Sequence, residues 1–132
     1  MGINKLEEEI VKKFVIKSKQ ERILWELSTS KARENVFWKF AGPGIFKNHC
    51  LKIAQYMAPN ELQKYLFELT HTHKVYFMGE NYIGEMSLKE ATLKMDLGYI
   101  GIIYCGNGIG YYQGEEEGGN RPRYFLTENT YR

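Results

Sequence analysis

The residues with the most obvious chemical potential stand together at Thr70-His71-Thr72-His73-Lys74. In extended backbone, side chains two positions apart share a side. His71 and His73 are therefore expected to point the same way, with Tyr76 extending that face. Two imidazoles beside an ammonium are the groups that acid–base cleavage of a phosphodiester needs. One histidine takes the 2′-hydroxyl proton, the other protonates the leaving oxygen, and Lys74 steadies the developing charge. The plainer expectation places both histidines where a helix ends, at the negative end of its dipole and facing water. It carries more weight, because acid–base groups must be held in a pocket.

Other chemistry is weaker. His49, Cys50, His71, His73 and Cys105 are soft metal ligands by type. The sequence has no Cys-x-x-Cys or His-x-x-x-His spacing. His49 and Cys50 are neighbours, so on a helix they would point about 100° apart. No metal and no cofactor are expected, and the two cysteines read as small buried residues. Whether Cys50 and Cys105 meet is left open. Cys50 beside His49 is a thiol–imidazole pair in sequence only, and catalytic partners meet in space. No Gly-x-Ser-x-Gly elbow is present. The run Gly106-Asn107-Gly108-Ile109-Gly110 offers a phosphate no helix N-terminus, because strand-like residues follow it. A hairpin turn is expected there.

The aromatics are the most unusual feature. Tyr99, Tyr104, Tyr111, Tyr112, Tyr124 and Phe125 crowd into the last third of the chain, near Arg121 and Arg123. Such side chains make hot spots at protein interfaces, or platforms for single-stranded bases. Tyr111 and Tyr112 are adjacent in a strand and must face opposite sides. One of them is expected to be at least partly exposed. Glu115-Glu116-Glu117 lies between glycines and reads as a mobile anionic tip that suits a basic partner. The candidate partner-binding set is Tyr111, Tyr112, Glu115, Glu116, Glu117 and Arg123.

These groups need a scaffold, and 132 residues supply one domain, residues 1–132, with a sizeable core. The composition is 43% apolar, 26% charged and 14% aromatic, an ordinary globular profile. Net charge is +2, too small to imply nucleic acid. Residues 1–60 hold 11 Lys and Arg against 6 Asp and Glu; residues 61–132 hold 7 against 10. The second half is therefore the acidic one. Charges interrupt residues 1–19, so no signal peptide is expected, and no stretch is apolar enough to span a bilayer. With two cysteines, a cytoplasmic protein with reduced thiols is the expectation.

Helical signals come first and strand signals last. Asn4 can cap a helix over residues 5–14, with Leu6, Ile10 and Phe14 as its stripe. Ser18 and Glu21 have capping-box spacing for a helix over 19–28, which leaves Trp25 off its apolar face. Val36, Trp38 and Phe40 alternate with Phe37 and Lys39, which predicts a strand over 34–41. Asn48 and then Asn60 are expected to cap helices over 49–57 and from 61 onward. The second would bury Leu62, Leu66 and Leu69. Strands follow at 74–78 and 82–85, then a helix opened by Ser87 and Glu90. A meander of three strands closes the chain at 99–104, 109–113 and 123–126, and the last residues are expected to fray.

The fold class is therefore α+β: N-terminal helices packed on one face of a mainly antiparallel sheet, with a C-terminal three-stranded meander. In size, class, and aromatic and acidic surface residues, the chain resembles the bacterial immunity proteins that neutralise toxins. That is a likeness of class, and no motif carries residues across. The expected function is a non-enzymatic interaction module whose partner is another protein, a basic one in the concrete version, with neither nucleic acid nor membrane as partner. The alternatives are a histidine-dependent RNase or phosphodiesterase using His71, His73 and Lys74, and a single-stranded nucleic-acid binder.

Overall fold

The computed structural model describes residues 4–80 and 82–128; residues 1–3, 81 and 129–132, which include the last residues expected to fray, lie outside the described residues. Its helices are α1 (Lys5–Phe14), α2 (Lys17–Leu27), α3 (Arg33–Lys39), α4 (Pro59–Thr70) and α5 (Leu88–Asp96). Its strands are β1 (Leu51–Ile53), β2 (Lys74–Gly79), β3 (Ile83–Ser87), β4 (Gly101–Gly106), β5 (Ile109–Gln113) and β6 (Arg123–Thr127). They form one sheet in the order β1-β6-β5-β4-β2-β3, and every ladder is antiparallel. The α+β class and the C-terminal meander stand as read from the sequence.

Local signals explain the elements that were legible. Asn4 Oδ1 accepts from the amides of Leu6 and Glu7 and starts α1. Ser87 Oγ accepts from Glu90 N at 3.0 Å and starts α5. Between β4 and β5, Asn107 and Gly108 both adopt positive φ, 55° and 74°. Two such residues make the turn whose twist matches antiparallel strands.

Five expectations are corrected. Residues 34–41 are not a strand: α3 occupies Arg33–Lys39. Ala32, Val36 and Phe40 are the buried positions there, four apart, and Trp38 points to water. The period of four puts Val36 and Phe40 in the core, and from this helix Arg33 and Lys39 pair with Glu7 of α1 and Glu26 of α2. Residues 49–57 are not a helix: a 3-10 turn over Asn48–Cys50 leads into β1, which fills the free edge of β6. Tertiary pairing there overrides the spacing of Leu51, Ala54 and Met57. Helix α2 starts before Ser18, because Ile16 N–H is held by Ile45 O at 2.9 Å. Helix α4 starts before Asn60: Pro59 takes the first turn and Glu61 Oε1 accepts from Ala58 N at 3.0 Å. Leu62 and Leu66 are buried, but Leu69 is 47% exposed.

The N-terminal helices α1, α2 and α3 do cover one face of the sheet. Ile10, Phe14, Ile23, Leu27, Val36 and Phe40 pack there on Tyr76, Met78, Ile102, Tyr104, Tyr112 and Leu126. The opposite face is covered as well. Leu62 and Leu66 of α4 and Leu88, Ala91 and Met95 of α5 pack on Val75, Phe77, Ile103, Cys105 and Tyr111. The sheet therefore has a core on each side, and alternate residues of β2, β4 and β5 enter alternate cores.

Candidate functional site

The double covering decides where the expected site residues lie. Tyr111 and Tyr112 do face opposite sides, yet both are buried. Tyr111 packs against Phe125 beneath α4 and α5, and burial pushes its hydroxyl up to about 12 despite nearby Arg123. Tyr112 lies against Phe46 in the other core, and its hydroxyl donates to Phe40 O. The expectation that one is exposed is thus corrected: each side of β5 meets a helical layer instead of water. Arg123 is half-buried, with its guanidinium 5.2 Å from the centre of the Tyr56 ring. Tyr56 in turn donates to Asp96 Oδ1 at 2.8 Å. Tyr111 and Tyr112 are thus enclosed by the helical layers, and Arg123 is held against Tyr56 while still partly exposed.

Glu115, Glu116 and Glu117 are exposed. Their loop leaves β5 at Gly114, where a Cβ would stand 2.6 Å from Ala41 O and 2.4 Å from the Tyr112 hydroxyl. Only glycine lets the chain pass so close. Glu115 N then donates to Ala41 O at 2.8 Å. Glu117 and Asn120 exchange both backbone hydrogen bonds, at 2.7 and 2.9 Å, around Gly118-Gly119. Arg121 Nη1 donates to Gly114 O at 2.7 Å, and its Nη2 lies 3.8 Å from Glu116 Oε1. The acidic tip is therefore a small hairpin with a fastened base. Between it and residues 41–43 lies a cleft of about 410 Å³, with Glu115, Glu117, Asn120 and Arg121 on its wall.

A second recess opens beside the same stretch. Trp38 and Phe37 of α3, with Glu34 and with Glu80 after β2, line a notch of about 280 Å³. Trp38 is 73% exposed. Among the described residues, no ion pair is made by Glu34 or Glu80. Sequence reasoning placed Trp38 inside a strand and missed this notch. The signal that finds it is the spacing of Ala32, Val36 and Phe40, which puts position 38 on the far side of a helix.

His71 and His73 both lie against the ring of Phe67. His71 caps α4 in the left-handed region, φ 56°, and its amide donates to Phe67 O. The Phe67 ring takes His71 on its edge at 5.6 Å and His73 in a stack at 4.5 Å. Tyr76 does not extend their face. It lies an odd number of residues from both, on the α1 side of the sheet, where its hydroxyl donates to Glu7 Oε2 at 2.6 Å. Neither cleft described above is lined by His71, His73 or Lys74. Cys50 and Cys105 belong to opposite cores, so they do not meet. No helix among the described residues is long and apolar enough to cross a membrane. Compared with family models, curated proteins and solved structures, the chain matches none.

Proposed function

We propose that this chain is a non-enzymatic interaction module, of the immunity or inhibitor kind, that receives a basic protein on its acidic hairpin. The observation carrying this reading is the fastened base of the Glu115-Glu116-Glu117 loop. Gly114, Glu115 N and Arg121 tie it to the body through Ala41 O and Gly114 O. A charged loop held in one geometry loses little freedom on binding, and its carboxylates steer a cationic surface toward it. Tyr111, Tyr112 and Arg123 leave the expected binding set, and the three glutamates remain. The Phe67 contacts of His71 and His73 favour packing over phosphodiester chemistry.

The test begins by capturing the tagged protein from its native lysate with nuclease present and identifying a stoichiometric partner. The variant Glu115→Lys, Glu116→Lys, Glu117→Lys is then compared with wild type in a salt titration. Binding is expected to weaken and to lose its steep dependence on salt. Equal affinity of variant and wild type for that partner removes the loop from the interface.

A further inference from the structure

We infer that Trp38 is the aromatic anchor of this interface, and that the notch it forms with Phe37, Glu34 and Glu80 takes an arginine or lysine side chain of the basic partner. The inference rests on the reading of the acidic hairpin as a binding surface and names the contact beside it.

Position comes first. Ala41 joins the two recesses: its amide donates to Trp38 O at 3.2 Å, and its carbonyl accepts from Glu115 N at 2.8 Å. The two recesses share no lining residue, but the short stretch from Trp38 to Ala41 connects them, so they lie next to each other along the chain.

Chemistry comes second. An indole face beside carboxylates attracts a cation through the ring quadrupole and through charge. The cations that α3 itself carries are already engaged elsewhere. Arg33 forms a two-pronged pair with buried Glu7, at 3.0 and 2.8 Å, and Lys39 reaches buried Glu26 at 2.8 Å. What α3 leaves fully exposed around Trp38 is Glu34 and the neutral Asn35, with no free cation of its own, and that surface complements a basic partner.

Rigidity comes third. The two ion pairs clamp α3 from one side. Tyr112 clamps its end through Phe40 O, and Phe37 leans on Phe40 with ring centres 6.3 Å apart. Large aromatic side chains on a fixed platform are the usual hot spots of protein interfaces.

The experiment uses the whole chain and a nona-arginine peptide, with nona-glutamate as control. The chain has two tryptophans, so Trp25→Phe leaves Trp38 as the only one. In that protein at low salt, nona-arginine is expected to change the tryptophan emission saturably, and nona-glutamate is expected to leave it unchanged. Peptide affinity, read by anisotropy of the labelled peptide, is expected to fall about tenfold in Trp38→Ala and to be largely kept in Trp38→Phe. Glu34→Gln with Glu80→Gln is expected to weaken it severalfold. These positions are at the surface, and an unchanged melting temperature verifies that the variants fold. An unchanged emission, or wild-type affinity in Trp38→Ala, overturns the inference. The loop-reversed variant separates the two readings. If it loses the peptide while Trp38→Ala keeps it, the notch fails and the hairpin reading stands. If it keeps the peptide while Trp38→Ala loses it, the notch stands and the hairpin reading fails.

Discussion

The two faces of the sheet are built from different interactions. On the face under α1, α2 and α3, three sheet tyrosines each donate a hydroxyl to the helical layer. Tyr76 bonds Glu7, Tyr104 bonds Glu9, and Tyr112 bonds Phe40 O. Glu7 and Glu26, both buried, are met by Arg33, and by Lys39 and Arg22. On the face under α4 and α5, the contacts are mainly hydrocarbon, around Val75, Phe77, Ile103, Leu66 and Met95. Gln113 and Thr92 are the buried polar side chains of that half. The first face is specified by direction and charge, the second by volume. The proposed binding surface grows from the first, because the pairs that hold α3 also leave its outer side acidic.

The sharpest break of this contrast is a large cut on each side. Glu7→Ala strands the Arg33 guanidinium and the Tyr76 hydroxyl, and is expected to cost about 3–5 kcal/mol. Phe77→Ala empties a fully buried site on the other face and is expected to cost a similar amount, about 3–5 kcal/mol. Denaturant melts measure both. Glu7→Gln keeps the shape but not the charge and should recover only part of the loss, whereas Phe77→Leu restores most of the volume and should recover most of its loss. Equal recovery on both sides would erase the distinction.

A smaller effect tests the polar exception. Gln113 Nε2 donates to Met95 O at 2.8 Å and to Tyr99 O at 2.9 Å, tying β5 to the end of α5. Gln113→Ala is expected to cost about 1–3 kcal/mol, since it leaves both carbonyls without that donor. The mildest perturbation is acid. Burial pushes the Glu26 carboxyl up, but the bonds from Lys39 and Arg22 outweigh it and hold it below its ordinary value. Its contribution is therefore fully present above the unfolded pKa and is lost as pH falls through the lower, folded one. Amide exchange in α2 and α3 should quicken in that window before exchange in α4 and α5, and Glu26→Gln should flatten the difference. Simultaneous quickening on both faces would refute it.

Parts of this were legible beforehand because the deciding residues are local. Asn4, Ser87 with Glu90, and Asn107-Gly108 each fix their own turn. Helix α3 was not legible, since Val36, Trp38 and Phe40 alternate as well as Ala32, Val36 and Phe40 repeat. The packing of Val36 and Phe40 on the sheet and the pairs to Glu7 and Glu26 accompany the helical period, and none of these contacts is visible in a short window. Strand β1 has three residues, too few to show a pattern, and exists because β6 needs a neighbour. The same gap governed the site. The three glutamates were visible by composition. The burial of Tyr111 and Tyr112, and the exposure of Trp38, depend on helices covering both sides of the sheet, which no short window of residues reveals.

The separation of the two cysteines has a practical side. Cys50 sits in the core under α1 to α3 and Cys105 in the core under α4 and α5, both unpaired. Burial raises both thiols, Cys105 to about 12, so neither reacts while its layer is closed. Each layer thus carries its own chemical stopwatch. Pulse alkylation followed by mass spectrometry would time the breathing of the two halves independently, in one unmodified sample and without an added probe.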